Sequence, residues 1–208
     1  MIRFARPVRW VHHLTAALML ICLATAIVLY IPSVAETVGH RHLFRLVHIY
    51  AGFALPVPGL LGWASRAFRE ELRRLNRFSP ADWEWLRGKD RRATVRGRGI
   101  HPVGKFNAGQ KLNAAFVGGA ILVMLGTGTM LTFPHSWPDT LRAGATFVHD
   151  WLFIAILVVF IGHLWYALRD RGSLSGMFLG HVPEAWAARH HPAWLDEIDR
   201  HDRVSGKP

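Results

Sequence analysis

Four stretches of this chain are long and apolar enough to cross a bilayer, and they leave little choice of fold. Residues 11–31 and 46–65 contain no Asp, Glu, Lys or Arg. Nor do residues 112–137, and residues 147–168 contain one, Asp150. A bilayer core of roughly 30 Å needs about 20 apolar residues in a helix. Each stretch therefore predicts a transmembrane helix, at about 10–31, 45–65, 112–133 and 147–168. The expected fold is all-α: an integral membrane four-helix bundle forming a single domain over 1–208, with a loop at 66–111 and a tail at 169–208. The first stretch follows Arg3, Arg6 and Arg9, as a signal peptide would. Its apolar run exceeds the roughly 7–15 residues of a signal core, and no small-x-small cleavage site closes it. It is expected to stay as a helix of the mature protein.

Charge orients the bundle. The chain has 25 Lys+Arg against 14 Asp+Glu, a formal net charge of +11. The segments before the first stretch, between the second and third, and after the fourth carry 22 of the Lys and Arg; the two short connections carry 3. Short loops rich in Lys and Arg stay inside. Both termini and the 66–111 loop are thus expected in the cytoplasm, where the basic surface meets anionic lipid or a protein partner. Nucleic acid is excluded as a partner, because the charge flanks membrane segments and forms no recognition motif. A composition 51% hydrophobic excludes disorder. The single cysteine, Cys22, excludes a disulfide scaffold or a multi-cysteine metal site. Within the loop, residues 66–77 predict a short basic helix, Ser79-Pro80 a helix start, and residues 87–99 an irregular Arg/Gly-rich run. The tail predicts short helices over 183–200, broken at Pro192, and Pro56 and Pro58 should bend or break the second span.

Histidine placement carries the chemistry. Of 13 histidines, His12, His13, His48, His149 and His163 lie within or at the ends of the apolar spans. Ionisable residues at membrane depth are costly and mark functional sites. His149 and His163 are 14 residues apart, which at helical geometry is roughly 21 Å along the axis and within about 40° of one face. His12 opens the first span on the cytoplasmic side, and His48 opens the second on the outer side. Depth alone suggests two pairs, His12 with His163 and His48 with His149. Two bis-imidazole pairs in a four-helix bundle suit two haem irons stacked across the membrane. A tetrahedral zinc site would need four ligands converging on one point, whereas these converge two by two. Gly52, Gly118, Gly119, Gly126, Gly128 and Gly162 could admit a flat macrocycle, or could serve close helix packing. His12 and His13 point about 100° apart and cannot both face one haem.

The run Gly104-Lys105-Phe106-Asn107-Ala108-Gly109-Gln110-Lys111 resembles the signature of the cytochrome b (gamma) subunit of respiratory formate dehydrogenase. Trp186-Ala187-Ala188-Arg189-His190-His191-Pro192-Ala193-Trp194 resembles that family's tail. Arg9-Trp10-Val11-His12, Arg45-Leu46-Val47-His48 with Gly52, and His149 and His163 with Gly172-Ser173-Leu174-Ser175-Gly176-Met177 resemble its ligand motifs. The likeness covers nearly the whole chain. It implies two haems b, with His12 (not His13) and His163 as axial ligands on the cytoplasmic side and His48 and His149 on the outer side. It implies a quinone site involving Asn107 and Gln110, whose amides supply hydrogen-bond donors; helix entry alone would use the same residues differently, Asn107 as cap and Lys111 at the interface. It further implies a multi-pass subunit of the bacterial inner membrane. The partners implied are an iron–sulfur (beta) subunit and a molybdenum or tungsten catalytic (alpha) subunit, with room for a higher oligomer of the complex. Electrons would pass from the iron–sulfur partner through the haems to quinone. The sequence has no motif for a pterin or an iron–sulfur cluster, so formate would not be oxidised on this chain. His13 departs from the pattern, which has an aromatic there, and Asp150 is placed to tune the outer haem or to pair with Arg45. Two rival readings are a dihaem subunit serving a hydrogenase or another oxidoreductase, and a haem-free membrane anchor.

Overall fold

The computed structural model describes residues 1–87 and 103–205; the Arg/Gly-rich run lies, from residue 88 on, outside the described residues. The described elements are α1 (Arg6–Tyr30), α2 (Pro32–Val38), α3 (Arg41–Ala54), α4 (Val57–Gly62), α5 (Arg66–Leu75), α6 (Pro80–Arg87), α7 (Ala108–Thr132), a 3-10 turn at Pro134–Ser136, α8 (Asp139–Arg169), α9 (Arg171–Phe178), α10 (Glu184–His190) and α11 (Pro192–Ser205). Four units are long and apolar enough to cross a membrane: α1, α3 with α4, α7, and α8. The chain is an integral membrane helical bundle.

The spans outrun their apolar cores. α8 begins at Asp139 and runs for 31 residues, about 46 Å at 1.5 Å per residue. Its first turns are polar, so hydropathy misses them, but a helix needs only backbone hydrogen bonds to continue into the interface. The second span is interrupted as its prolines require. In an unbroken helix Gly52 would accept from residue 56; Pro56 has no N–H. Leu55 N donates to Gly52 O instead, at 3.3 Å, and the helix restarts at Val57. α4 then lies so close to α1 that a Cβ on Gly62 would stand 2.6 Å from Val11 Cγ2 and 3.0 Å from Phe68 Cδ1.

α1 packs along α3, and α7 along α8, as two antiparallel hairpins joined side by side. The waist of the bundle is a small core of Met19, Leu23, Leu55, Ala120, Phe153 and Ile156. Leu60, Leu61, Leu122 and Val158 are all at least 65% exposed. In water that apolar exposure would be prohibitive; facing lipid tails it is the expected state.

At the end of the bundle that carries the chain termini, the tail folds back over the N-terminus. Met1 N donates to Val182 O at 3.0 Å, and Arg3 N to Gly180 O at 2.8 Å. Arg3 is 3% exposed, with its guanidinium 4.6 Å from the Trp186 ring and 5.7 Å from the Trp194 ring. Burial pushes Arg3 down to about 10, against the pull of Asp170 and Glu71. Asp170 accepts from Trp186 Nε1 at 2.8 Å and from Ser173 Oγ at 2.7 Å. His191, pushed down to about 3 by burial and by Arg3, is neutral there and donates from Nδ1 to Gly104 O at 2.7 Å. Ion pairs Lys105–Glu71 and Arg74–Glu197 tie the same assembly to α5. Pro192 starts α11, so the tail turns there and brings Trp194, 4% exposed, into a cluster with Val182 and Ala187.

Candidate functional site: two histidine pairs

The packing of the two hairpins brings four of the expected histidines together two by two. His12 of α1 faces His163 of α8 at the terminal end, with ring centroids 6.3 Å apart. His48 of α3 faces His149 of α8 at the far end, with centroids 6.2 Å apart. These separations have a chemical meaning. A metal–imidazole bond is about 2 Å, and the ring centre lies about 1.2 Å beyond the ligating nitrogen, so two imidazoles on opposite sides of one metal have centres about 6.4 Å apart. Both pairs match that spacing. Among the described residues, no three His, Cys, Asp or Glu side chains converge as they would around a bare ion.

The far-end pair opens on a cavity of about 300 Å³ lined by His48, His149, Gly52, Gly128, Arg45 and Asp150 with apolar side chains between them. A Cβ on Gly52 would meet nothing within 4 Å, and one on Gly128 would meet only His149 Cε1, at 3.5 Å. The glycines thus keep open the space beside the imidazoles, as a flat macrocycle requires. Arg45 and Asp150 share the cavity wall, but among the described residues they form no ion pair. The residues present therefore fit a haem.

Threonine orients the far-end rings. His48 Nδ1 lies 2.9 Å from Thr25 Oγ1, and His149 Nδ1 lies 2.8 Å from Thr127 Oγ1. Each hydroxyl already donates one turn back along its own helix, Thr25 to Ile21 O at 2.7 Å and Thr127 to Val123 O at 2.9 Å. Its oxygen is then left to accept, an arrangement that favours the tautomer with the proton on Nδ1 of both histidines and the lone pair on Nε2. Neither threonine was singled out by sequence reasoning. A threonine inside an apolar helix is ordinary, and only the register between neighbouring helices reveals its partner.

His13 lies edge-on to His12, with ring centroids 5.4 Å apart, but points away from His163. Its Nε2 lies 3.2 Å from Met177 O, and its ring lies 5.0 Å from that of Phe178. Asn107 and Gln110 form a capping box at the start of α7: Gln110 N donates to Asn107 Oδ1 at 2.8 Å, and Asn107 N to Gln110 Oε1 at 3.0 Å. Both amide oxygens are spent on the helix start, and the two NH₂ groups are what remains to donate elsewhere. Lys111 reaches back to Asp82 Oδ2 at 2.6 Å, clamping α6 to α7.

Residues 3–180 match the family model described as prokaryotic cytochrome b561. The chain is also similar to the formate dehydrogenase cytochrome b556(fdo) subunit of Escherichia coli K12, 26% identical over 95% of this chain and 92% of that protein. It is 32% identical to the nitrate-inducible formate dehydrogenase cytochrome b556(Fdn) subunit of the same organism, over 49% of this chain and 48% of that one. A third relative, the formate dehydrogenase cytochrome b556 subunit of Haemophilus influenzae, is 26% identical over 94% of this chain and 82% of its own. With the paired histidines at each end of a membrane bundle, and a family match that spans all four helices, this chain belongs to the prokaryotic cytochrome b561 family.

Proposed function

We propose that this chain is the membrane cytochrome b subunit of a formate dehydrogenase of the bacterial inner membrane, holding one haem b at each histidine pair and delivering electrons to quinone. The observation that carries the reading is the pair of imidazole separations, 6.3 and 6.2 Å, at opposite ends of one bundle. The names of the relatives support the formate dehydrogenase assignment, with an iron–sulfur subunit and a molybdenum or tungsten catalytic subunit as partners. The distribution of Lys and Arg supports cytoplasmic termini, which makes His48–His149 the outer pair and His12–His163 the inner one.

Bound at these pairs, haem supplies one-electron transfer between a donor at the outer surface and a quinone at the cytoplasmic end. The protein's own part is to hold and insulate. His48 and His149 would hold one haem through Nε2, and His12 and His163 would hold the second. The apolar waist of Met19, Leu23, Phe153 and Ile156 excludes water between the two ends. At the start of α7 the NH₂ groups of Asn107 and Gln110 donate to quinone oxygens, on the side where protons are drawn from the cytoplasm.

The capping box makes the quinone role separable from helix entry. Asn107→Asp keeps the cap, and Gln110→Glu keeps its acceptor, yet each removes the NH₂ donor. Loss of one neutral hydrogen bond, about 0.5–1.5 kcal/mol, should weaken quinone binding roughly two- to tenfold. In the purified complex, formate should still reduce the cytochrome in both variants while reoxidation by a soluble quinone analogue slows. Wild-type reoxidation in both would remove the quinone from this segment.

A further inference from the structure

The two histidine pairs are not built alike. At the far end each imidazole has a threonine hydroxyl within hydrogen-bond distance on the neighbouring helix of its own hairpin, Thr25 of α1 for His48 of α3 and Thr127 of α7 for His149 of α8, and the Cys22 backbone carbonyl of α1 also accepts a hydrogen bond from His48. The arrangement is duplicated down to the threonine's own bond back to its helix. At the terminal end there is no counterpart among the described residues. His12 Nδ1 is buried without a partner, and among the described residues no protein group hydrogen-bonds the ring of His163. Thr25 is itself 5% exposed, so water does not substitute for the contact it makes.

We propose that Thr25 and Thr127 are positioning residues that lower the reduction potential of the iron held by His48 and His149 relative to the iron held by His12 and His163. The inference rests on the haem reading above. An imidazole that donates Nδ1–H to an oxygen acquires part of the character of an imidazolate, which makes Nε2 a stronger electron donor to its metal. Ferric iron, with the higher charge, gains more from that donation than ferrous iron does. The couple is a one-electron reduction in which both imidazoles stay bound and no proton leaves, so the difference appears wholly as a lower potential. Two such bonds act on one iron and, among the described residues, none on the other. The resulting step from a low-potential outer site to a higher-potential inner one runs in the direction that draws electrons from an outer donor toward the cytoplasmic end.

The test is a spectroelectrochemical titration of the intact complex carrying Thr25→Val, Thr127→Val or both. Valine keeps the β-branched shape and replaces the hydroxyl with a methyl group. The component assigned to the far-end pair, identified as the one lost in His48→Ala, should move to higher potential in each single variant and further in the double. The other component should stay in place, and Thr25→Ser and Thr127→Ser should restore the wild-type value. Unmoved potentials in the valine variants, or equal shifts of both components, would overturn the proposal. If His48→Ala kept both components, the ligand assignment would fall and the tuning with it; if it removed one while valine changed nothing, only the tuning would fall. Should valine expel the haem, ¹⁵N-histidine NMR of the wild-type protein gives the same decision. Nδ1 shifts of His48 and His149 moved toward the imidazolate range relative to those of His12 and His163 support the proposal, and matching shifts at all four overturn it.

Discussion

Adjacent histidines open α1, and only one of them faces His163. His12 lies with its ring centre 6.3 Å from that of His163, while His13 turns to the Met177 carbonyl and the Phe178 ring. Helical rotation of about 100° per residue makes that separation unavoidable. Replacing His13 by Ala should therefore leave two titrating haem components, and replacing His12 by Ala should remove one. A titration in which His13→Ala lost a component and His12→Ala did not would reverse the assignment. The histidines were legible in the sequence because an imidazole at membrane depth is conspicuous, and depth along a helix follows from residue counting. The threonines that orient two of them were not, since a Thr in an apolar span carries no mark of its partner. Asn107 and Gln110 stand between these cases. Their spacing signals a helix start from sequence alone, and the structure spends their oxygens there.

Breaks and clamps decide how the elements end. Residue chemistry alone placed an interruption at Pro56 and Pro58, and the structure breaks the helix at the first of them, where the missing N–H leaves Gly52 O to Leu55. The far ends of α3 and α8 were less legible: both helices begin in polar residues that hydropathy assigns to loops. Nor does the sequence disclose that α4 presses Gly62 against Val11. Gly62→Ala should lower thermal stability in detergent by about 1–3 kcal/mol, the usual effect of overpacking. Val11→Ala in the same chain should recover part of it. Simple additivity of the two losses would show that the helices do not meet there. The α6–α7 clamp carries a pH dependence. Burial raises the Asp82 carboxyl, but the hydrogen bonds from Lys111 and from Ser79 outweigh it and hold the group below its ordinary value of 3.8. A carboxyl depressed in the folded state stabilises fully above its unfolded value, and that contribution is lost as pH falls through the lower folded value. Hydrogen exchange at residues 80–87 should therefore be flat between pH 7 and about 5, once intrinsic rates are divided out, and accelerate only below about 4. In Lys111→Met, acceleration should already be present at neutral pH. An unchanged exchange rate in that variant would show that the ion pair does not hold α6.

On the scale of the whole molecule, the bundle divides into two ends of different construction. The terminal end is closed by the tail, which stacks Trp186 and Trp194 about Arg3 and ties residues 103–105 to the N-terminus. The family match stops at residue 180, before Trp186, His191 and Trp194 of that closure. The far end is open, with a cavity beside its histidines. Four apolar stretches and their flanking charges were enough to read a membrane bundle, because lipid permits few alternatives. The closure was invisible beforehand, since it joins segments nearly two hundred residues apart. What unites the ends is α8, which carries His149 and His163 on nearly one face and so contributes one ligand to each pair. Haem-to-protein stoichiometry tests this construction most directly. The purified full-length chain, with haem measured by pyridine haemochrome and protein by quantitative amino-acid analysis, should contain two non-covalent b haems per chain, falling to one in His48→Ala. Well-folded wild-type protein with no haem, or with one haem that survives in His48→Ala, would contradict it.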